Sequence, residues 1–406
     1  MNDSSLLTQD ALPSGFRFAA VKAGIKPSGN LDLALAVADP TASAAAMFTS
    51  NRVVAAPVLV GRRHMKRSKG RVRTVIVNAG NANCATGPAG IEACEKVCRA
   101  AAAAFDCQED EVFPSSTGII GVPLPSEKPI HALPQLAATL AATPEQFSLF
   151  ARAILTTDTK PKVATARISV NEKTVKIAGV CKGAGMIHPQ LVPHATMLVY
   201  LFTDAAISPE DLDALLQKSV EVSFNRISID GDTSTNDTVL LLASGASGVP
   251  MDASSAAFSN ALTEVCTSLA KQIVDDGEGV THVVELQIEG APTDRDALSV
   301  AKAIAHSPLV KTAWAGCDPN WGRLMAAAGY SGVAVDPERI SIWFGDLPIC
   351  RNGGRAPEFD EVAAHQYLKQ RNFTVRIDLG LGQGFCRFWT TDLTAEYVHI
   401  NADYST

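Results

Sequence analysis

Apolar residues in this chain fall into two spacings that alternate along its length. Short runs at 72–77, 163–170, 174–180 and 239–243, rich in β-branched and other aliphatic residues, predict strands. The run at 196–202 is almost wholly apolar, as in a strand covered on both faces. Further strands are expected at 283–288, 340–344, 373–379 and 386–390, with Gly380, Gly382 and Gly384 suiting a hairpin turn. Helices are expected at 88–105, 254–274, 296–306 and 359–368, and two more open with an N-capping hydroxyl and a proline, at Thr143-Pro-Glu-Gln146 and Ser208-Pro-Glu-Asp211. A second hairpin turns at Asn171-Glu172, and the strand at 72–77 is expected to end in a loop from Asn78 to Gly87. Strands and helices mixed in this way imply a layered α/β or α+β architecture, although periodicity leaves strand order open.

The chain has 406 residues, 47% of them hydrophobic, enough for two cores. Its formal net charge of −7 offers no positive field to nucleic acid or anionic lipid. No apolar run approaches the roughly 18 to 20 residues that cross a bilayer, and the start lacks a basic leader, so the expected compartment is the cytoplasm. Nine cysteines without a CxxC pair fit that reducing setting, and Cys84, Cys181 and Cys317 are read as small packing residues. The eight histidines form no HxxxH or HExxH pair, and neither a GxxxxGK[ST] loop nor a strand-following GxGxxG is present, so neither a metal nor a nucleotide cofactor is expected.

The most informative stretch runs from Cys181 to Leu198, where a loop rich in glycine and proline delivers Thr196 to the start of the apolar strand. One reading is a β-branched strand residue whose hydroxyl bonds the backbone. The other is self-processing: the Thr196 hydroxyl attacks the carbonyl of Ala195, and hydrolysis of the ester frees an N-terminal threonine. An α-amino group has a reference pKa of about 7.7 to 8.0 against about 10.4 for lysine, so it can serve as the base for its own hydroxyl. Pro114-Ser-Ser-Thr-Gly-Ile-Ile-Gly121 offers donors for an oxyanion, and its Ser-Thr-Gly is equally ordinary turn chemistry. His194, beside the scissile bond, is read first as a solvated loop residue and second as an aid to proton transfer. Asp318-Pro-Asn-Trp-Gly-Arg323 is read as a structural turn, with Arg323 orienting carboxylates as the alternative.

Taken together, the segments resemble the ornithine acetyltransferases (glutamate N-acetyltransferases) of arginine biosynthesis over nearly the whole chain. Matching stretches include Asn78-Ala-Gly-Asn-Ala-Asn83, Ser116-Thr-Gly-Ile-Ile-Gly121, Thr156-Thr-Asp-Thr159, Lys182-Gly-Ala-Gly-Met-Ile187 and Ala195-Thr-Met-Leu198. Asp230-Gly-Asp-Thr-Ser-Thr-Asn-Asp237, Asp276-Gly-Glu-Gly279, Asp318-Pro-Asn-Trp-Gly-Arg323 and Tyr397-Val-His-Ile-Asn-Ala-Asp-Tyr404 follow in the family's order. One departure is Gln190-Leu-Val-Pro-His194, which makes the approach to Thr196 about three residues longer than the family's usual spacing, an insertion of small thermodynamic cost.

The resemblance implies an αββα sandwich of the self-processing aminopeptidase and ornithine acetyltransferase kind, with a smaller C-terminal α/β part. It implies scission between Ala195 and Thr196 into an α chain (1–195) and a β chain (196–406) that pair as α2β2. Thr196 would carry acetyl from N-acetylornithine to glutamate in a ping-pong exchange, and bifunctional members also acetylate glutamate from acetyl-CoA. Thr117 and Gly118 would form the oxyanion hole, while Thr156, Lys182, Glu278, Asn401 and Thr406 would contact the amino acid. For Asn401 and Thr406 the tail must fold back into the cleft, and alternating Val398 and Ile400 would pin it as a strand. Two rivals stay open: a hydrolase using the same nucleophile with water as acceptor, and an uncut protein that only binds an acetylated amino acid.

Overall fold

A computed structural model describes residues 7–170, 172–189 and 197–403. The first part of the chain forms β1 (Phe16–Val21), β2 (Leu33–Phe48), α1 (Ala56–Arg67), β3 (Arg71–Asn81), α2 (Gly87–Ala104), β4 (Val112–Ile119), α3 (Glu127–Thr139) and α4 (Pro144–Ala153). There follow β5 (Lys162–Val170), β6 (Lys173–Lys182), β7 (Leu198–Thr203), α5 (Pro209–Glu221), β8 (Thr238–Ala243) and α6 (Ala256–Asp275). Among the described residues the eight strands hydrogen-bond in the order β4-β3-β2-β8-β7-β6-β5, with β1 on the other side of β2.

Side-chain alternation shows that this one ladder makes two layers. β2 pairs with β1 and β3 through its first half and with β8 through its second, and its register with β3 shifts between Val37 and Ala42. Phe18, Val75 and Val77 from one half meet Tyr200, Phe202, Leu240 and Leu242 from the other in a shared inner core. The opposite faces turn outward: Val21, Leu35 and Ile76 pack under α2 and α3. Val199, Leu201, Val239 and Leu241 likewise pack under α5 and α6. The order is therefore helices, sheet, sheet, helices. β7 and β8 lie buried on both faces, which is why they carry no polar alternation.

α4 plugs the edge of the inner core. Thr143 accepts the N–H of Gln146 as the N-cap, and Phe147 and Phe150 stand edge-on to Phe18 at 5.0 and 5.8 Å, contacts worth about 0.5–1.5 kcal/mol each beyond their buried area. Ser208 caps α5 in the same way through the N–H of Asp211. The β5–β6 hairpin forms in the expected register, with Val170 opposite Lys173.

The remaining chain makes β9 (Val283–Ala291), α7 (Asp294–Ala305), α8 (Pro308–Ala315), α9 (Trp321–Gly329), β10 (Ser341–Phe344), β11 (Leu347–Arg351), β12 (Gly354–Arg355), α10 (Glu361–Leu368), β13 (Asn372–Asp378), β14 (Gly384–Thr391) and α11 (Ala395–Asp403). Its strands order as β12-β11-β10-β13-β9-β14 around a separate core. The mixed α/β class with a smaller C-terminal part is as expected.

Several local expectations are corrected. β3 continues through Asn78–Asn81 as strand, because β4 pairs with it as far as Ile119. Gly380, Gly382 and Gly384 do not turn a hairpin: β9 lies between β13 and β14, and the N–H groups of Leu381 and Gly382 bond the carbonyl of Gly290 instead. The tail is helical rather than extended, and Val398 is 60% exposed, so its spacing with Ile400 marked no core face. Asn320 is the N-cap of α9, and Arg323 donates to the carbonyl of Leu309 at 2.7 Å rather than to a carboxylate.

Candidate active site

The parallel strands β3 and β4 end side by side, and their ends are shaped by two glycines. Gly118 faces Gly80 with φ +130°, and a Cβ there would stand 2.4 Å from the carbonyl carbon of Gly80, so no other residue fits. Side-chain amides fix this edge. Asn236 donates to the carbonyls of Ala82 and Ser116 at 2.6 and 2.8 Å, and Ser116 donates to Asn78 at 2.6 Å. Thr117, buried, and Gly118 are thereby held at the wall of a cleft.

Lys182 ends β6, opposite Leu198 at the start of β7, and is 9% exposed. Behind it lies a buried ion cluster. Asp158 accepts from Lys162 Nζ and from the N–H of Gly183, both at 2.6 Å, and from the N–H of Thr156 at 3.1 Å. Lys162 also donates to Asp276 at 2.6 Å. Burial would raise the Asp158 carboxyl, but Lys182 and Lys162 hold it down to about 2. One carboxylate therefore ties Thr156, at the exit of α4, to the segment carrying Lys182.

Glu278 enters from the turn after α6, 9% exposed, with its N–H on the carbonyl of Ala184 at 3.1 Å. Asn401 of α11 donates to Glu278 Oε2 at 3.0 Å. The helix sits close because residue 279 is glycine: a Cβ there would lie 2.5 Å from the backbone nitrogen of Tyr397. Thr394 fastens the same junction by donating to the carbonyl of Gly279 at 2.7 Å.

The loop leading from Lys182 toward residue 190 is stapled by Asp230, which accepts the N–H groups of Met186 and Ile187 at 2.7 and 2.9 Å. These bonds hold Met186 at φ +58°, a conformation that side chains rarely adopt. Burial pushes the Asp230 carboxyl up against the pull of those N–H donors, and Tyr397 donates to it at 3.3 Å. The Tyr397 phenol is itself raised well above its ordinary range, first by burial and then by Asp230.

Of the residues singled out from the sequence, Thr117, Gly118, Thr156, Lys182, Glu278 and Asn401 line this one cleft. Its volume of about 150 Å³ is roughly ten times what one water needs. Ala195, Thr196, His194 and Thr406 lie outside the described residues. Met197, the neighbour of Thr196, does line the cleft, and its carbonyl accepts the N–H of Thr238 at 2.7 Å. Asp230, Asn236 and Tyr397 were given no role from sequence, although the polar density of 230–237 ahead of an apolar strand was a usable signal. Cys84 and Cys181 are fully buried, as packing residues are, whereas Cys317 is half-buried with Sγ 3.8 Å from His282 Nε2. Among the described residues no group of three or more His, Cys, Asp or Glu could hold a metal, and no helix is long and apolar enough to cross a membrane.

The αββα sandwich thus encloses a cleft in which hydroxyl and backbone donors face Lys182 and Glu278. The chain belongs to the ArgJ family, which matches residues 17–406. It is 45% identical over 397 residues to the arginine biosynthesis bifunctional protein ArgJ of Geobacter sulfurreducens, covering 97% of this chain and 99% of that one. The protein of the same name from Brucella suis is 44% identical over 398 residues, covering 96% and 95%. Among solved structures, the arginine biosynthesis bifunctional protein from Bacillus halodurans is 42% identical, covers 52% of this chain and 100% of its own, and has a TM-score of 0.49. Ornithine acetyltransferase from Mycobacterium tuberculosis, solved with ornithine, is 38% identical, covers 44% and 93%, and has a TM-score of 0.40.

Proposed function

We propose that this cleft moves acetyl from N-acetylornithine to glutamate through an ester on Thr196, freed as an N-terminus by scission after Ala195. The observation that carries the reading is the convergence of Thr117, Gly118, Thr156, Lys182, Glu278 and Asn401 around Met197, one peptide unit from that hydroxyl. Thr196 Oγ attacks the acetyl carbonyl while its own amine takes the proton. The Thr117 hydroxyl and the Gly118 N–H receive the negative oxygen of the tetrahedral intermediate. The C–N bond breaks, the proton passes to the departing ornithine amine, and glutamate then attacks the ester by the reverse course. Lys182 holds the α-carboxylate common to both amino acids, and Glu278, steadied by Asn401, holds an ammonium.

On this reading Thr406 is a further contact to the amino-acid substrate, and acetyl-CoA serves as a second acetyl donor rather than a bound cofactor. The two fragments, 1–195 and 196–406, stay together and pair as α2β2 in the cytoplasm. Incubation of purified protein with N-acetylornithine, with and without glutamate, tests the transfer. Ornithine with N-acetylglutamate is the expected pair; acetate without N-acetylglutamate means that water is the acceptor and the reading fails. Intact mass should give two fragments meeting between Ala195 and Thr196, and Thr196→Ala should give one chain and no turnover.

A further inference from the structure

Away from the cleft, at the junction of α8 and α9, a thiol, an imidazole and a carboxylate stand in line. Cys317 Sγ lies 3.8 Å from His282 Nε2, and His282 Nδ1 lies 2.8 Å from Asp392 Oδ2. Thr281 shares that carboxylate, with its N–H on Oδ1 at 3.1 Å and its hydroxyl on Oδ2. With Nδ1–H donating to Asp392, the lone pair of Nε2 faces the thiol, which is the order in which a base is oriented to deprotonate a nucleophile.

The backbone presents the side chain to this pair. α8 ends in a two-bond cap, with the N–H of Asp318 on the carbonyl of Ala313 at 2.8 Å and the N–H of Cys317 on that of Trp314 at 3.0 Å. The left-handed position in such a cap is ordinarily glycine, yet here Cys317 occupies it at φ +52°. His365 Nδ1 fixes the carbonyl of the same residue at 2.7 Å. His282 is 8% exposed while Cys317 is half-buried at the edge of the C-terminal core, so the base is more sheltered than the residue that carries the thiol. Titratable and charged groups near the pair include Asp318, next in sequence to the thiol, Lys311, which lies near Asp392, and Arg371, which donates to the carbonyl of Thr281 at 3.3 Å.

We infer that Cys317, with His282 as its base and Asp392 orienting the imidazole, is a covalent modification site that exchanges with low-molecular-weight disulfides. The proton leaves Sγ for Nε2, and the thiolate attacks one sulfur of the disulfide. A new S–S bond forms at Cys317 as the old one breaks, and the departing thiolate takes the proton back.

Glutathione disulfide is the probe, and peptide mass mapping follows each cysteine over time in the whole protein, folded and in urea. Unfolding exposes every thiol but strips Cys317 of its base. Cys317 should therefore react faster folded than unfolded, by about tenfold or more. Cys107, half-buried with its thiol raised by burial and no histidine beside it, should react slower folded. His282→Gln, with an unchanged circular dichroism spectrum, should remove the advantage of Cys317. Slower reaction of Cys317 in the folded protein overturns the inference whether or not that variant folds, and so does an undiminished rate in a folded His282→Gln protein.

Discussion

Gly185 and Glu278 compete for one space: a Cβ at residue 185 would stand 2.4 Å from Glu278 Oε2 and 2.6 Å from Oε1. The obstacle is the end of a flexible side chain, so Gly185→Ala should fold and simply turn the carboxylate away from Asn401. Its KM for N-acetylornithine should rise as far as that of Glu278→Gln, about tenfold or more for a lost charge-assisted contact. Its thermal midpoint should stay near that of the parent. A variant with unchanged KM would mean that Glu278 does not bind the substrate.

Thr117→Val tests the oxyanion role, because valine keeps the β-branched shape that β4 accommodates and removes only the hydroxyl. Loss of one such donor should lower kcat by about 10²–10³ and leave KM little changed. Steady-state kinetics showing a normal kcat would remove Thr117 from the reaction.

The parts of this fold that local chemistry dictates were legible. β7 and β8 announce themselves by unbroken apolar residues, and α4 and α5 by Thr143 and Ser208 ahead of proline. The passage from Leu379 to Gly384 was not, because a glycine-rich link between two strands looks the same whether they pair or, as here, accept β9 between them. In the tail, Val398 and Ile400 suggested a strand, while the stronger signal was Thr394, whose Oγ1 accepts the N–H of Tyr397 as a helix cap does. The cleft residues were found as family motifs. Their mutual support through Asp158 and Asp230 depends on contacts between distant segments that no spacing reveals.

Acid should report on Asp158. Its carboxyl is depressed to about 2, so below the ordinary carboxylate pKa of about 3.9 the unfolded chain binds the proton that the folded one refuses. This contribution, about 2 kcal/mol, is present in full above roughly pH 4 and is lost as pH falls toward 2. Asp158→Asn should be less stable at neutral pH by about 3–5 kcal/mol, having broken a buried pair, and should lack this acid limb. Denaturant midpoints measured for both proteins across the window check it, and parallel curves would contradict it.

Lys311 carries the opposite kind of burden. It is buried, and this lowers its amine to about 7 despite the pull of Asp392 and Asp230. It donates to the carbonyl and hydroxyl of Thr391 and to the Thr390 hydroxyl, three acceptors that suit an ammonium, so it is burial alone that makes the charged form expensive. Between about pH 7 and the unfolded lysine value of about 10.4 the unfolded chain binds more protons, so raising pH over that window favours the folded state. Lys311→Met removes the titration while filling a similar volume. The stability difference between parent and variant should therefore shift in the parent's favour by about 4 kcal/mol from neutral pH to about pH 10. Thiols and phenols of the unfolded chain titrate in the same range, and comparing the two proteins cancels them. Denaturation curves whose separation is constant across that range would show that Lys311 stays charged in the fold.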